Sequence, residues 1–162
     1  MEPPIEVIDR FLNPGEIFFG DGHYRVRTLL GSCVSIVLWH PILQLGGMCH
    51  FLLPYPSDIK LEKTHKYGID AFQYFLNEIK KKRTKPTEYS AKIFGGSNMF
   101  LNEEREILRN DASSLIGTKN AEFAKKILQE NQIKIISEDL GGNQSRKIYF
   151  SVWDGEVWVE KK

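Results

Sequence analysis

Short apolar runs separated by turn residues dominate the first 55 residues of the chain. The segments EIFFG (16–20), YRVRTLL (24–30), CVSIVLW (33–39) and GGMCHFLL (46–53) are rich in aromatic and β-branched residues, and glycine, proline, asparagine or aspartate lies between them. Such runs bounded by turn residues are typical of β-strands. The third and fourth segments are separated only by a short reversal at HP (40–41), so we predict that they are buried antiparallel neighbours.

Two later segments have the period of a helix. In residues 64–82, Tyr67, Ala71, Phe75 and Ile79 recur every four positions, which predicts a helix with one apolar stripe. The segment NAEFAKKILQEN (120–131) opens with Asn120, a favourable N-cap residue, and predicts a second helix that begins there. Residues 103–109 are interpreted as a further short helix.

The remaining apolar runs complete the fold prediction. AKIFGG (91–96) and IKIIS (133–137) are predicted strands, and residues 146–162 are a predicted hairpin with a tight primed turn at Asp154-Gly155. Strands outnumber helices, and the first several strands are contiguous in sequence. We therefore predict an α+β fold, a layered α/β sandwich with mixed or antiparallel sheets, forming one domain over residues 1–162.

Composition and charge exclude several classes of protein. The chain has 162 residues, enough for a core without disulfide or metal staples, and a formal charge of +1, which argues against a nucleic-acid or anionic membrane partner. No apolar run approaches the roughly 20 residues that span a bilayer, and the N-terminus lacks the basic-then-apolar pattern of a signal peptide. Two cysteines without CxxC spacing suggest neither a disulfide framework nor structural zinc. We expect a cytoplasmic protein with free thiols, no metal and no cofactor.

The candidate chemistry lies in a Gly-Ser-Cys corner and in the strand that follows it. Alternation along a strand puts His50 on one face and Cys49 on the other, so these two neighbours are not partners. Cys33 lies about eight residues before the reversal near 41–42 and His50 about eight after it, so the two can lie across from each other. The same alternation disfavours a metal site built from all three side chains.

A thiol beside an imidazole fits acyl transfer to cysteine. We expect His50 and the backbone N–H groups of the corner to lower the pKa of Cys33, and the same N–H groups to hold a developing oxyanion. Gly31 is interpreted as a residue that supplies a positive φ and a close backbone approach. The alternative stays open that Cys33 is a small buried apolar residue and that His50 is a structural histidine.

Five spaced blocks carry a resemblance to a known family: LLGSCVSIVLWHP with GGMCHFLLP, KIFGGSNMF, IGTKN, SEDLGGNQSRKI, and NPGE near the start. In this order they resemble CheD, the chemoreceptor glutamine deamidase of bacterial chemotaxis. The resemblance implies an α/β sandwich related to the catalytic domain of cytotoxic necrotizing toxins. It also implies a cysteine hydrolase that converts glutamines of methyl-accepting chemotaxis receptors to glutamate. Some members hydrolyse receptor glutamyl methyl esters, and some bind the phosphatase CheC.

The resemblance assigns the nucleophile to Cys33 and the general base to His50, with no cofactor. It expects a threonine six residues before the cysteine to orient the histidine. Arg27 occupies that position here, and Thr28 follows it. A one-residue offset on a strand reverses the face, so either a bulge brings Thr28 to the site or another group orients His50.

The other blocks are expected to shape the pocket. Backbone N–H groups around Ser32 and Cys33 are the predicted oxyanion donors, and Asn98 or Asn143 is predicted to hydrogen-bond the carboxamide. Gly95, Gly96, Gly141 and Gly142 are predicted to let loops approach an incoming helix closely. Three other functions stay open: a non-catalytic binding module for receptors or a CheC-type phosphatase, a hydrolase of an unrelated protein glutamine, and a redox-sensing thiol at Cys33.

Overall fold

The computed structural model describes residues 3–57, 64–99 and 115–162. Most of the regular elements of this part coincide with segments that have strand or helix periodicity. Its strands are β1 Ile8–Phe11, β2 Ile17–Asp21, β3 Tyr24–Leu30, β4 Val34–His40, β5 Leu45–Cys49, β6 Ser90–Gly95, β7 Lys134–Leu140, β8 Arg146–Ser151 and β9 Val157–Lys161. Its helices are α1 Gly68–Lys81 and α2 Ile116–Glu130, with a short 3₁₀ turn at Pro86–Glu88. The predicted short helix at 103–109 lies outside the described residues.

The strands form two sheets of mixed direction. One sheet has the order β1-β3-β8-β9 and the other β2-β5-β4-β6-β7. The pairs β1–β3 and β6–β7 are parallel, and the other pairs are antiparallel, including the predicted β4–β5 hairpin. The predicted α+β layered architecture with mixed sheets is therefore confirmed.

The five-stranded sheet is the middle of three layers. On β4, Val34, Ile36 and Leu38 face a core shared with both helices, while Val37 faces a second core shared with the four-stranded sheet. This near-continuous burial explains why β4 is an apolar run without clear alternation. The edge of the inter-sheet layer is where the predicted chemical groups lie.

The second helix begins four residues earlier than the sequence predicts. It starts at Ile116, and no side chain caps its N-terminus. The prediction of Asn120 as an N-cap is wrong, because its amide lies inside the helix and donates to backbone carbonyls of other segments. Neither described helix combines the length and apolar character that a membrane crossing demands.

Two features of the outer sheet were not predicted correctly. β1 gave no strand signal, and all four of its residues are exposed, although it pairs with β3. The β8–β9 connection has five residues, Val152–Glu156, and only Gly155 among them has a positive φ, so the two-residue primed turn is wrong. The longer loop folds against β4, where the Nε1 of Trp39 donates to the Val152 carbonyl at 2.9 Å.

Candidate functional site

The Gly-Ser-Cys corner connects β3 to β4, and all three of its carbonyls point into the protein. Each carbonyl accepts a hydrogen bond from a donor on another segment: Gly31 from the Ser97 N–H at 3.0 Å, Ser32 from the Asn120 Nδ2 at 3.0 Å, and Cys33 from the Gly96 N–H at 2.9 Å. These contacts fix the direction of each peptide plane in the corner. The corner is therefore held rigidly by its carbonyl side.

The N–H groups of the same corner are left available. Neither the Ser32 nor the Cys33 N–H donates to a backbone or side-chain acceptor of another residue in the described ranges. Since each carbonyl is turned inward and a trans peptide points its N–H the opposite way, these two N–H groups lie on the other side of their peptide planes, next to the half-buried Cys33. Such donors suit the oxyanion of a tetrahedral intermediate.

The role predicted for Gly31 is only partly supported. Its φ is not among the positive values in the chain, so the expectation of a left-handed residue is wrong. A Cβ atom built on Gly31 would lie 3.3 Å from the Cγ of Met99. The glycine therefore leaves room for a neighbouring side chain at the corner.

His50 directly follows β5 and shares a sheet face with Cys33. The β4–β5 register pairs Val37 with Met48, and an isolated bridge pairs Val34 with Phe51. This register puts His50 opposite Ser35, so Cys33 is its diagonal neighbour rather than the directly opposite residue. Diagonal neighbours are about 7–8 Å apart, with their side chains on one face. The predicted pairing of Cys33 with His50 was two residues off, because the turn between β4 and β5 occupies four residues, 41–44.

Thr28 contacts the His50 ring. Its Oγ1 lies 2.6 Å from the Nδ1 of His50 and 2.7 Å from the carbonyl oxygen of Leu12. A hydroxyl has one proton, which goes to the carbonyl because that oxygen cannot donate, so Thr28 accepts a hydrogen bond from the Nδ1–H. This assignment leaves Nε2 as the unprotonated nitrogen of a neutral His50 ring. The ring is thus oriented and its proton acceptor defined.

The Arg27 departure is explained without a bulge. β3 pairs with β8 in unbroken register from Arg25 to Leu30, so ordinary alternation turns Thr28 inward and Arg27 outward. Arg27 lies near Asp9 and over the Phe11 ring, on the outer side of the sheet. The threonine five residues before the cysteine takes the orienting position, and Arg27 does not contribute to it.

Burial keeps both reactive groups neutral. Loss of water lowers the pKa of His50 to about 4 and raises the pKa of Cys33, with the backbone N–H of Cys33 opposing the latter shift. The expected lowering of the Cys33 pKa is wrong, because a neutral imidazole offers no positive charge and burial disfavours the thiolate. The His50 Nε2 is buried and has no hydrogen-bond partner among the described residues. An unpaired, unprotonated ring nitrogen of this kind can accept a proton from a nearby donor.

The second cysteine belongs to the opposite face of the same sheet. Cys49 is fully buried in the helix-side core, and its sulfur contacts the backbone of Ile36. Burial raises the pKa of Cys49 to about 12. The prediction that Cys49 is not a partner of His50 is confirmed by this arrangement.

Two loops form a wall beside the corner. The loop after β6 donates to the corner, and it is tied to the loop after β7 through the Asn98 N–H, which donates to the Gly142 carbonyl at 2.9 Å. A Cβ atom on Gly95 would lie 2.2 Å from the Cys33 carbonyl oxygen, and the φ of Gly95 is +109°, so only glycine fits there. The wall and the corner therefore form one unit.

Arg146 holds this wall from behind. The guanidinium is buried and donates to Gly95, Ser97, Gly141 and the Asp139 carboxylate. The sequence around Arg146 did not indicate this role, because a single arginine at the start of a strand is typical of an edge residue. The four contacts satisfy a planar donor that a lysine could not replace.

The predicted substrate contacts are brought together only in part. Asn98 is half-buried, and its Oδ1 is buried without a partner among the described residues. Gly141 and Gly142 have positive φ, and a Cβ atom on either would meet nothing within 4 Å, so their predicted close approach to an incoming helix stays a prediction. Asn143 is exposed, and its predicted hydrogen bond to the carboxamide stays a prediction.

The N-terminal segment contributes contacts that the sequence did not reveal. The Gly15 N–H donates to the His50 carbonyl at 2.8 Å, and the Leu12 carbonyl receives the Thr28 hydroxyl. NPGE is thus a turn that fixes the backbone of His50. Within the described residues, no group of three or more His, Cys, Asp or Glu side chains is arranged to hold a metal ion.

Comparisons with known proteins agree on one family. The family profile described as "CheD chemotactic sensory transduction" matches residues 52–161. A Leptospira interrogans protein named "Probable chemoreceptor glutamine deamidase CheD 1" is 47% identical over 161 residues, covering 98% of this chain and 95% of the relative. A "Probable chemoreceptor glutamine deamidase CheD 3" of Dechloromonas aromatica is 41% identical, covering 96% and 89%. One from Pseudomonas syringae pv. tomato is 36% identical, covering 99% and 93%.

Proposed function

Because this chain belongs to the CheD family, we propose that it is a chemoreceptor glutamine deamidase. Its substrates are glutamine side chains of methyl-accepting chemotaxis receptors, and its products are glutamate and ammonia. We propose that residues 1–162 act as one hydrolase domain in the cytoplasm, with Cys33 as nucleophile and His50 as general base. The observation that carries the mechanism is the oriented His50 ring, whose Nε2 is unprotonated and unpaired within the described residues.

Acylation begins from a neutral pair. The Cys33 sulfur attacks the carboxamide carbon while its proton passes to the His50 Nε2, so the thiolate forms only as the C–S bond forms. The carbonyl oxygen becomes an oxyanion, which the N–H groups of Ser32 and Cys33 stabilise. The His50 imidazolium then gives its proton to the departing nitrogen. Ammonia leaves and Cys33 carries a glutamyl thioester.

Deacylation uses the same groups in reverse. The neutral His50 Nε2 takes a proton from water as the water oxygen attacks the thioester carbon, and the oxyanion returns to the same donors. Collapse of this intermediate breaks the C–S bond and returns the proton to sulfur, which releases glutamate. Thr28 keeps Nδ1 protonated throughout, so Nε2 always faces the reaction.

The pKa of His50 suits these steps. An imidazolium whose pKa lies near 4 is a stronger acid than an ordinary imidazolium, so it readily protonates a departing nitrogen, and the His50 ring is neutral between turnovers. Hydrolysis of receptor glutamyl methyl esters would follow the same course with methanol leaving. That activity and the binding of a CheC-type phosphatase stay predictions for this chain.

The proposal is tested with a receptor cytoplasmic fragment that carries glutamines at its modification sites. Wild-type protein is expected to release ammonia and to raise the mass of receptor peptides by about one dalton per site. Cys33→Ala should do neither, while Cys49→Ala is the matched control, because it removes the other thiol without touching the site. Receptor binding without any mass gain in the wild-type reaction would favour a non-catalytic binding module. Activity retained by Cys33→Ala would overturn the thiol mechanism.

A further inference from the structure

Asn120 lies inside α2 and reaches out of the helix to two other segments. The residue is fully buried, with 0% of its surface exposed. Its Nδ2 donates to the Ser32 carbonyl at 3.0 Å and to the Leu52 carbonyl at 2.8 Å. Both amide protons are thereby used on oxygens that cannot donate, which fixes the orientation of the amide.

The bond to Ser32 acts on the neighbouring N–H through the peptide plane. The described peptide bonds are all trans, so in the unit joining Ser32 to Cys33 the carbonyl and the N–H point in opposite directions. Holding the Ser32 carbonyl toward Asn120 therefore aims the Cys33 N–H away from the helix. This N–H is one of the two donors that the proposed mechanism uses for the oxyanion.

The bond to Leu52 connects the same amide to the other half of the site. Leu52 lies two residues after His50, on the segment that leaves β5. One side chain thus joins the corner that carries the thiol to the segment that carries the imidazole. The other two corner carbonyls are held by backbone N–H groups, so within the described ranges Asn120 is the one side chain that donates to the corner.

Asparagine at this position has a cost in stability as well as a benefit. Asparagine is a weak helix former, and the Oδ1 of Asn120 is buried without a partner among the described residues. A buried unpaired acceptor costs free energy. An apolar side chain would fill the space without that cost, but it would leave both carbonyls unpaired and the peptide plane free to turn.

We propose that Asn120 is a positioning residue that preorganises the oxyanion-binding N–H of Cys33. It acts through the Ser32–Cys33 peptide and does not touch the substrate. The inference rests on the proposed acyl transfer at Cys33, and it assigns to the first turns of α2 a direct influence on transition-state binding.

The test compares two reactions of the same thiol. Acylation of Cys33 by p-nitrophenyl acetate first forms the C–S bond, which gives a tetrahedral oxyanion, and collapse of the oxyanion breaks the C–O bond and releases nitrophenolate. Alkylation by iodoacetamide displaces iodide at a saturated carbon and forms no oxyanion. Both rates depend on removal of the thiol proton and on access to the sulfur, so their ratio isolates the contribution of the oxyanion donors. Cys33→Ala supplies the blank for each reagent.

Asn120→Ala is expected to slow acylation by about 10- to 100-fold, a part of what one oxyanion donor contributes, and to change alkylation by less than about threefold. The acylation rate of Asn120→Ser, whose hydroxyl can donate to one carbonyl, should lie between the rates of Asn120→Ala and the wild type. Asn131→Ala is the matched control. Asn131 lies just beyond the C-terminal end of α2, far from the site, and its Nδ2 also donates to a backbone carbonyl, that of Ile127. It should leave both rates unchanged.

Two outcomes would overturn the inference. An unchanged acylation rate in folded Asn120→Ala would show that the amide does not influence the oxyanion. An equal loss of the acylation and alkylation rates in Asn120→Ala and Asn120→Ser, with an intact circular dichroism spectrum, would show that the amide only maintains the surroundings of the thiol. The aryl ester needs no receptor, so a wild-type protein that fails to deamidate receptor would refute the proposed function without deciding this ratio.

Discussion

The two cysteines lie on opposite faces of the five-stranded sheet, in different environments. Cys49 faces the helices among apolar side chains, and its sulfur contacts the Ile36 backbone. Cys33 lies at the edge of the inter-sheet layer, half-buried, beside N–H groups that donate to no other residue in the described structure. One strand pair therefore carries a structural thiol and a candidate nucleophile.

Polar groups mark the difference between these faces. The inter-sheet face buries Ser35 and His50 against Thr28 of the four-stranded sheet, and two of their polar atoms, the Ser35 Oγ and the His50 Nε2, have no partner among the described residues. Unpaired buried polar atoms lower stability, so a protein retains few of them without a reason. The alternation of side chains along the strands, rather than closeness in sequence to His50, decides which cysteine lies on the same face as these polar groups.

The largest contrast should appear in the reactivity of the two thiols. In the native protein, iodoacetamide should modify Cys33 more than about 10³-fold faster than Cys49, because Cys49 is exposed only when the core opens. Since burial raises the pKa of Cys33, its alkylation rate should still be rising with pH at pH 9. Peptide mass spectrometry of samples quenched over time measures both rates. Comparable labelling of the two cysteines would contradict the assignment of faces.

The next effect concerns the pH dependence of stability. The pKa of His50 is about 4 in the folded protein, against about 6.5 when unfolded, so the unfolded chain binds a proton first as the pH falls. His50 should therefore cost the wild type about 3 kcal/mol of unfolding free energy between pH 7 and pH 4, at about 1.4 kcal/mol per pH unit. Urea unfolding of wild type and His50→Gln at both values isolates this loss, because carboxylates that titrate in the same window are common to both proteins. An equal loss in the two proteins would show that His50 is not buried as a neutral ring.

A smaller effect tests the orientation of His50. Thr28→Val keeps the shape of the side chain but removes the acceptor for Nδ1–H, so the tautomer with a protonated Nε2 becomes competitive. We expect kcat for deamidation to fall about tenfold, a part of the roughly 10²–10⁴ that a positioned general base supplies. Thr28→Ser restores the hydroxyl and should stay within about threefold of the wild type. An unchanged kcat in Thr28→Val would mean that another group sets the tautomer.

The contrast between the faces was largely predictable, because it depends on alternation alone. The period of two along GGMCHFLL separates Cys49 from His50, and the apolar run CVSIVLW indicates a strand buried on both sides. The exact pairing was not predictable. Gln44 closes the four-residue turn with a φ of +52°, which is uncommon for a residue other than glycine and leaves no clear sign in the sequence.

Contacts that join distant segments were beyond prediction for a different reason. Asn120 is a good N-cap by residue type, and nothing local reveals that its amide donates to carbonyls 88 and 68 positions away. The exposed and charged β1 is a strand only because β3 offers it a partner. Tertiary partners override local preference in both cases. Leu12, which directly follows β1, supplies the carbonyl that accepts the Thr28 hydroxyl proton.

The smallest effect is expected at Arg27, the residue that stands where the family resemblance places threonine. Its side chain is on the outer face of the sheet, 3.7 Å from Asp9, and a partly exposed ion pair of this kind contributes little. Arg27→Ala should change kcat by less than about twofold and the unfolding free energy by about 0.5 kcal/mol or less, whereas Thr28→Val changes kcat clearly. Parallel deamidation kinetics of the two variants measure the difference. A loss in Arg27→Ala as large as that in Thr28→Val would mean that the outer face of β3 also reaches the site, and that strand parity does not separate the two neighbours.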